Sequence, residues 1–408
     1  MPQDRLLETL NAHVAELQEA GTAKGEELIV RDLLPPEGRR GPRVLLEGYD
    51  DREFIRLNSN SYLGLSLESE IIQAEEEGSR RFGAGPGAVR FISGSYTAHR
   101  DLEARLASFH DREASIVFSS AYSAVLGTLV PLITRETAVV SDELNHNCII
   151  NAIRLARPAE KVVYPHLDLE ALDTSLEELE GKARRVVVVT DGIFSMRGDH
   201  APLDEIMDVA RRHDDRYPEN VVVVVDDSHG VGAFGETGRG VEEYCGGPPV
   251  DILIGTLGKA FGVNGGYVTG AADLVRFLRE SAPTYIYSNP ITPGEALACL
   301  ASVKLVDSPR GRERMERLRA LTRHFEEGLG RIGIETIPGD HPVVPLMIRD
   351  TARTEALVQH LFRHDVLATG LAYPVVPRGD EEIRTQINAD HTTEDLDRVL
   401  EVLEAFPG

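Results

Sequence analysis

Short runs of β-branched residues alternate with longer segments of helical periodicity between about residues 60 and 285. The runs predict six strands: Ser115–Phe118, Ala138–Val140, Lys161–Tyr164, Arg185–Thr190, Val221–Asp226 and Ile252–Gly255. Strands that alternate with helices favour a largely parallel sheet covered by helices on both faces. The pattern therefore predicts an α/β fold in which a ligand binds beyond the carboxyl ends of the strands.

The two ends of the chain follow different patterns. Apolar residues at helical spacing between about residues 4 and 21 predict an amphipathic first helix, and residues 31–51 are typical of loops and short strands. Beyond Pro290 and Pro293 we expect a long helical stretch to about Gly328, followed by strands near Pro342–Ile348 and Ile383–Ile387 and two more helices.

These patterns predict three regions: an N-terminal helix and arm over 1–59, a large domain over 60–290, and a smaller α+β C-terminal domain over 291–408. Near the end of the chain, Thr392 and Asp395 resemble a capping box that starts the last helix.

Composition narrows the class of protein. A formal net charge of -24 over 408 residues argues against nucleic acid and anionic membranes as partners. It leaves an anionic ligand open, because a phosphate site needs only local amides and a cation. Three widely spaced cysteines favour a reducing compartment, with no disulfide framework and no metal site. We predict a cytoplasmic protein, since the chain has no apolar run of membrane-spanning length and no signal-peptide pattern.

Lys259 is the first candidate for chemistry. It lies in the small-residue segment Gly255–Gly262, directly after the apolar run Val250–Ile254. The alternative is an ordinary exposed lysine. Small neighbours leave room for a planar cofactor, and partial desolvation makes a lysine a competent imine-forming amine. We therefore expect Lys259 to form a Schiff base.

Asp226 and His229 follow the neighbouring valine strand. Asp226 has an alternative role as a cap of the next turn. Its functional role would be to pair with a protonated pyridine nitrogen, which keeps a pyridoxal phosphate (PLP) ring an electron sink. His229 would bond the phenolic oxygen of the same ring. With Lys259 after the next strand, these residues predict a PLP enzyme.

Further residues fit the remaining parts of such a site. The turn Ser119–Ala124 leads into a helix whose first amides predict an anion cradle, to which Thr256 would add a hydroxyl. His146 follows a strand and is a candidate to stack on the ring, although a histidine is more often a hydrogen-bonded core or surface residue. Arg384 is either a surface cation or a bidentate clamp for a substrate carboxylate.

Several ordered motifs together resemble the α-oxoamine synthases, a family of fold-type-I PLP-dependent transferases. The motifs are Asn60–Leu65, Gly83–Arg90, Gly94–His99, Leu102 with Glu103, Thr190–Met196, Asp226–Gly232, Thr256–Gly262, Tyr287–Asn289 and Ile383–Gln386. The resemblance implies an aspartate-aminotransferase-like fold and a homodimer with shared active sites.

The resemblance also implies roles for individual residues. Lys259 would carry the cofactor, Asp226 would pair with its pyridine nitrogen, and His146 would stack on its ring. The remaining roles are phenolic-oxygen contacts from His229 and Ser195, phosphate contacts from Ala121, Tyr122 and Thr256, a contact from Ser288 to the neighbouring subunit's cofactor phosphate, and substrate-carboxylate contacts from Asn60 and Arg384.

The activity implied is condensation of a small amino acid, which we expect to be glycine, with a short acyl-CoA, which we expect to be acetyl-CoA. The segments Tyr373–Gly379 and Glu243–Cys245 resemble glycine C-acetyltransferase, whereas the length of the loop Lys259–Tyr267 is closer to the aminolevulinate and oxononanoate enzymes. Synthases that use a longer or dicarboxylic acyl-CoA, including serine palmitoyltransferase-like ones, therefore stay open. An aminotransferase and an inactive partner subunit are further alternatives.

Three positions depart from the family's usual pattern: Ser61, Val125 and Arg197. Arg197 stands where the family has an aspartate. It would either favour an acidic acyl group or CoA phosphates, or form a surface ion pair, and we expect the ion pair.

Overall fold

The computed structural model describes residues 3–23, 25–373 and 376–407. Pro374 and Val375, within the segment Tyr373–Gly379 discussed above, lie outside the described residues. The chain forms two compact units. The smaller comprises Met1–Ser59 with Ala320–Gly408, and the larger comprises Asn60–Arg319.

The strands are numbered in chain order. They are β1 Val30–Leu34, β2 Arg43–Leu46, β3 Ile55–Arg56, β4 Ala114–Phe118, β5 Thr137–Asp142, β6 Glu160–Tyr164, β7 Arg185–Asp191, β8 Val221–Asp226, β9 Ile252–Thr256, β10 Gly266–Gly270, β11 Val343–Met347, β12 Val366–Leu367, β13 Thr369–Leu371 and β14 Glu382–Gln386.

The α-helices are numbered in the same way. They are α1 Asp4–Glu19, α2 Ser69–Phe82, α3 Thr97–Phe109, α4 Ala121–Leu132, α5 Asn147–Ala156, α6 Leu169–Glu178, α7 Leu203–His213, α8 Val241–Cys245, α9 Ala272–Ser281, α10 Pro283–Ile286, α11 Pro293–Val306, α12 Pro309–Arg331, α13 Thr351–Arg363 and α14 Thr393–Glu404. Short 3₁₀ turns cover Leu65–Leu67 and Asp214–Arg216, and a π turn covers Arg90–Gly94.

The larger unit is built around a seven-stranded sheet in the order β4-β10-β9-β8-β7-β5-β6. The pairs from β9 through β6 are parallel, and β10 runs antiparallel to both β4 and β9. All six predicted strands are present, and the prediction of a largely parallel sheet is confirmed. The strand β10 was missed because its sequence, Gly-Tyr-Val-Thr-Gly, is short and bounded by glycines, which resembles a loop.

Both faces of this sheet are buried, as the runs of valine require. Val223 and Val225 belong to a core on one face, which α6 and α7 cover, while Val224 belongs to a core on the other face, which α4 and α5 cover. Burial of one such valine stabilises the fold by about 1.5–3 kcal/mol relative to exposure. The sheet is therefore a rigid platform for groups at its edge.

Residues 291–319 belong to the larger unit. The sequence placed the start of the smaller domain at residue 291, so the boundary differs. The reason is that α11 packs closely on α2, where a Cβ added to Gly78 would lie only 2.6 Å from Cα of Gly294. A prediction from local pattern does not detect such a long-range contact between helices.

The smaller unit contains a three-stranded antiparallel sheet in the order β11-β14-β13, together with α1, α13 and α14. The capping box predicted for α14 is confirmed: Asp395 N donates to Thr392 Oγ1 at 3.1 Å, and Thr392 N donates to Asp395 Oδ2 at 3.0 Å. Asp395 also forms a buried ion pair with Arg43. Among the described residues, no helix is both long enough and apolar enough to cross a bilayer.

Candidate active site

The candidate site lies where four neighbouring strands of the large sheet end. β5, β7, β8 and β9 run parallel and end at Asp142, Asp191, Asp226 and Thr256. Because parallel strands present their carboxyl ends at one edge of a sheet, the segments that follow meet there. This places two imidazoles, two carboxylates and an amine around one cavity.

The cavity is open to solvent, and the space in it that no atom fills, open solvent included, is about 370 Å³. It is lined by Ala121, Tyr122, His146, Cys148, Asp191, Ile193, Ser195, Asp226, Ser228, His229 and Lys259. Seven of the residues predicted from sequence are in this set, so the structure brings them together within one unit of the chain.

Asp226 is held in a fixed orientation at the end of β8. Its Oδ1 accepts hydrogen bonds from Ser228 N at 3.1 Å and from Ser228 Oγ at 2.5 Å, and Cys148 Sγ lies 3.7 Å from its Oδ2. The side chain is buried. A buried carboxylate with this support is ready to pair with a cation in the cavity.

Asp191 is a second buried carboxylate beside Asp226. The two residues are register partners on β7 and β8. Burial, together with the charge of Asp226, raises the pKa of Asp191 well above its usual value. Its Oδ2 accepts a hydrogen bond from His146 N at 2.9 Å. Asp191 lies in the motif Thr190–Met196, but its role could not be predicted, because pairing across strands is not visible in a single segment.

His146 begins α5 and caps that helix with its own ring. Cys148 N donates to His146 Nδ1 at 3.3 Å, and Cys148 Sγ lies 2.9 Å from the same nitrogen. Although the ring is accessible from the cavity, loss of surrounding water lowers its pKa, and the nearby Lys259 also lowers it while Asp226 raises it. The imidazole is therefore neutral near pH 7, with Nδ1 as an acceptor.

His229 faces the cavity from the turn after β8. Its Nδ1 lies 2.7 Å from Oη of Tyr62, and the Tyr62 side chain is fully buried. Tyr62 adopts a positive φ of 38°, which is uncommon for a residue with a bulky side chain. The sequence placed Tyr62 in a family motif without a function, whereas the structure shows that it orients the imidazole.

The start of α4 forms the other end of the cavity. Ser120 caps this helix by accepting from Ser123 N at 3.1 Å, and Ala121 and Tyr122 occupy its first turn, where backbone amides lack partners within the helix. A Cβ on Gly266 would collide with the backbone of this turn, lying 2.5 Å from the carbonyl carbon of Ser120. Glycine at position 266 therefore lets β10 pass directly behind the helix start.

Four predicted residues lie outside the lining of this cavity. Thr256 Oγ1 instead donates to Gly265 O at 3.2 Å and accepts from Gly258 N. Ser288 follows Tyr287, whose side chain is 79% exposed. Arg384 lies in β14 of the smaller unit, and Asn60 belongs to the larger unit, where its buried Oδ1 has no hydrogen-bond partner among the described residues.

Arg197 forms the ion pair that we expected. Its Nε donates to Asp199 Oδ2 at 2.7 Å, and its side chain is 37% exposed. The structure therefore accounts for Arg197 without a contact to an acyl group.

The lining of the cavity fits PLP. Amides at a helix start suit the phosphate, Lys259 suits the aldehyde, and the adjacent carboxylates of Asp226 and Asp191 suit a protonated pyridine nitrogen. Two neighbouring buried carboxylates are costly unless a positive charge accompanies them. The fold and this site define a fold-type-I PLP-dependent transferase.

Comparison with known proteins narrows the class. Residues 52–403 match the family model of the class I and II aminotransferases. The chain is 38% identical over 369 residues to 8-amino-7-oxononanoate synthase of Thermosipho melanesiensis, covering 90% of this chain and 91% of that protein. It is 38% identical over 395 residues to human mitochondrial 2-amino-3-ketobutyrate coenzyme A ligase, covering 96% and 90%.

A solved structure is similar to this chain along almost its whole length. The structure of SPT (serine palmitoyltransferase) with PLP superimposes on this chain with a TM-score of 0.86 and 26% identity, covering 99% of this chain and 97% of that one. The chain belongs to the class I and II aminotransferase family and, within it, to the α-oxoamine synthases.

Proposed function

We propose that this protein joins glycine to acetyl-CoA, giving free CoA and a 2-amino-3-keto acid or, after loss of CO₂, the corresponding α-amino ketone. The observation that carries this proposal is the shared cavity of Lys259, Asp226 and His146. The similarity to 2-amino-3-ketobutyrate coenzyme A ligase over 96% of the chain supports the choice of substrates.

Bound PLP supplies an electron sink for the pair of electrons left on Cα of the amino acid when its proton is removed. The amine of Lys259, released when the amino acid takes its place on the cofactor, would take that proton, since it lines the cavity at the end of the sheet. Asp226 stabilises positive charge on the pyridine nitrogen, and Ser228 keeps its carboxylate in position. A C–C bond then forms between Cα and the acyl carbonyl carbon, the C–S bond breaks, and the thiolate of CoA accepts a proton.

The other residues bind and orient. In this proposal the amides of Ala121 and Tyr122, with Thr256, hold the phosphate, and His229 and Ser195 bond the phenolic oxygen. The neutral ring of His146 would stack on the cofactor, since it lines the same cavity. The lowered pKa of His146 keeps its imidazole uncharged. An uncharged imidazole can stack without repelling the positive charge on the pyridine nitrogen.

Two parts of the proposal reach beyond this cavity. Asn60 and Arg384 bind the amino acid carboxylate, a task that the planar guanidinium of arginine suits. We also propose a cytoplasmic homodimer in which Ser288 contacts the partner's cofactor phosphate. The exposed position of Tyr287 beside Ser288 and the three unpaired cysteines support these points.

A second candidate is supported by the relatives named 8-amino-7-oxononanoate synthase. That product contains the skeleton of alanine without its carboxyl group, joined to a seven-carbon acyl chain that ends in a carboxylate. The corresponding reaction would use alanine and a dicarboxylic acyl-CoA, with loss of CO₂. The residues around Lys259 serve both reactions, so the substrates must be distinguished by experiment.

The test is release of free thiol when the holoenzyme is mixed with glycine, alanine or serine and with acyl-CoAs of graded length, including a seven-carbon dicarboxylic one. The proposal expects the fastest release with glycine and acetyl-CoA. Preference for alanine with the dicarboxylic donor would establish the second candidate. A keto acid formed without thiol release would indicate an aminotransferase, and absence of bound PLP after addition of cofactor would indicate an inactive partner subunit.

A further inference from the structure

His166 lies between two carboxylates directly after β6. Its Nδ1 is 3.1 Å from Asp142 Oδ1, and its Nε2 is 3.2 Å from Asp199 Oδ2. The imidazole is 14% exposed, and the side chains of Asp142 and Asp199 are 0% and 19% exposed. Both ring nitrogens thus face a hydrogen-bond acceptor. Only the protonated imidazole has an N–H on each nitrogen and can donate to both carboxylates.

The two carboxylates belong to different loops of the cavity. Asp142 ends β5 and starts the turn that leads to His146, and its Oδ1 accepts from Leu144 N at 2.8 Å. Asp199 closes the turn that carries Ser195, since Phe194 N donates to Asp199 O at 3.0 Å. His166 therefore bridges the loop of His146 and the loop of Ser195.

Ring packing strengthens the bridge on the Ser195 side. The ring of Phe194 meets that of His166 edge to face, with centroids 4.4 Å apart and planes at 86°. Phe194 is buried and directly precedes Ser195 in the chain. A change in the position of His166 would therefore be transmitted to the backbone of Ser195.

The surroundings keep the bridge charged. Burial opposes the charge on His166, but hydrogen bonds and charges from Asp142 and Asp199 outweigh it and raise the pKa to about 9. Among the described residues, Glu143 and Arg197 also face this cluster: Glu143 Oε1 accepts from His166 N at 2.9 Å, and Arg197 pairs with Asp199. Asp191 and Tyr164 are titratable groups near Asp142; burial raises the pKa of each, and the charge of Asp142 adds to the rise.

We propose that protonated His166 is a positioning residue that ties the loop of His146 to the loop of Ser195 and so sets the width of the PLP cavity. No atom of His166 lines the cavity among the described residues, so it acts through the two loops. The inference rests on the proposed contacts of His146 and Ser195 with the cofactor.

The alternative is that His166 stabilises the fold without affecting the cofactor. His213 offers a matched control, because it is a buried histidine whose Nε2 lies 2.8 Å from Asp173 Oδ1, and neither residue lines the cavity. His213→Gln therefore measures the general effect of removing a histidine–aspartate pair.

The experiment compares the holoenzyme with His166→Gln and His213→Gln by the rate at which bound PLP is lost on dilution and by thermal unfolding. We expect PLP loss to be about tenfold faster in His166→Gln, the order expected when a charged hydrogen-bonded pair is removed. His213→Gln should keep the wild-type rate of loss, whatever its thermal stability. Equal rates of PLP loss in the two variants would overturn the proposal.

Asp199→Asn provides a second variant that removes one anion and keeps the side-chain size, and Asp173→Asn is its control because Asp173 pairs with His213 and Arg212, away from the bridge. We expect faster PLP loss from Asp199→Asn and a wild-type rate from Asp173→Asn. The reverse order would contradict the bridge.

The pH profile gives a readout that a purely structural role would not change. In the wild type, PLP loss should accelerate as pH rises through about 9, because His166 then loses its proton. His166→Gln should lack this acceleration, and an identical profile in both proteins would count against the proposal. A wild-type protein that never binds PLP would instead refute the proposed function, so the two failures are distinguishable.

Discussion

Oη of Tyr62 lies 2.7 Å from Nδ1 of His229, and both side chains are buried. This hydrogen bond fixes the orientation of the His229 ring, which lines the cavity. Tyr62→Phe keeps the ring and its positive φ, so the substitution isolates the hydroxyl. We expect a loss of about 1–2 kcal/mol in the free energy of unfolding, since a buried hydrogen bond is removed.

Urea unfolding of the cofactor-free protein measures this loss. The control is Tyr122→Phe, because the Tyr122 side chain is 41% exposed and its hydroxyl accepts from Asn151 Nδ2 at 2.9 Å. That variant should stay within about 0.5 kcal/mol of the wild type. If Tyr62→Phe were equally stable, the hydrogen bond to His229 would have no structural role.

Asp191 should make stability depend on pH. Its pKa is raised by burial and by Asp226, so the folded protein keeps a proton that the unfolded chain loses above its ordinary pKa of 3.8. The stabilisation that comes from the proton on Asp191 is complete below pH 3.8 and is lost as pH rises to the raised pKa. Over that range the free energy of unfolding should fall by up to about 1.4 kcal/mol per pH unit.

Asp191→Asn cannot ionise and should reduce this slope. Asp227, whose pKa is also raised well above its usual value by burial, keeps part of the dependence in the variant. Unfolding free energies of both cofactor-free proteins, measured across the acid and neutral range, test the prediction. A slope as steep in the variant as in the wild type would show that Asp191 ionises normally.

Gly266 should not tolerate a side chain. A Cβ there would overlap the backbone of Ser120 and Ala121 at the start of α4, so Gly266→Ala must displace the proposed phosphate cradle. We expect destabilisation of about 1–3 kcal/mol, as for other overpacked sites, together with weaker PLP retention.

Gly85→Ala is the matched control, because no atom lies within 4 Å of a Cβ built at Gly85. Thermal unfolding and the visible absorbance of bound PLP should be unchanged in this variant. Wild-type stability and PLP retention in Gly266→Ala would mean that β10 does not press on the helix start.

The sequence predicted the framework of the site well, for physical reasons that are local. Runs such as Val221–Val225 are long enough to be strands buried on both faces, and the polar residue after each run marks the edge at which ligands bind. Lys259, Asp226 and His146 were found from these signals, and the structure places them around one cavity.

Contacts between distant segments were not predictable in this way. Cys148 is buried, and its Sγ lies between His146 and Asp226 on the cavity wall, a position that the wide spacing of the cysteines does not indicate. His166 has no recognisable signal in the sequence, because its two carboxylate partners are 24 and 33 residues away in the chain. Such contacts follow from how strands are ordered in the sheet, which no single segment encodes.

We propose that Lys259 carries the cofactor covalently. Borohydride reduction of the holoenzyme followed by peptide mass spectrometry locates the trapped adduct. Lys259→Ala and Lys259→Arg serve as test variants, and Lys304→Ala on the exposed side of α11 serves as the control. We expect a reduced PLP adduct on Lys259 in the wild type and in the control, and neither adduct nor thiol release in the two Lys259 variants. An adduct at another lysine, or wild-type turnover in Lys259→Ala, would rule out this role of Lys259.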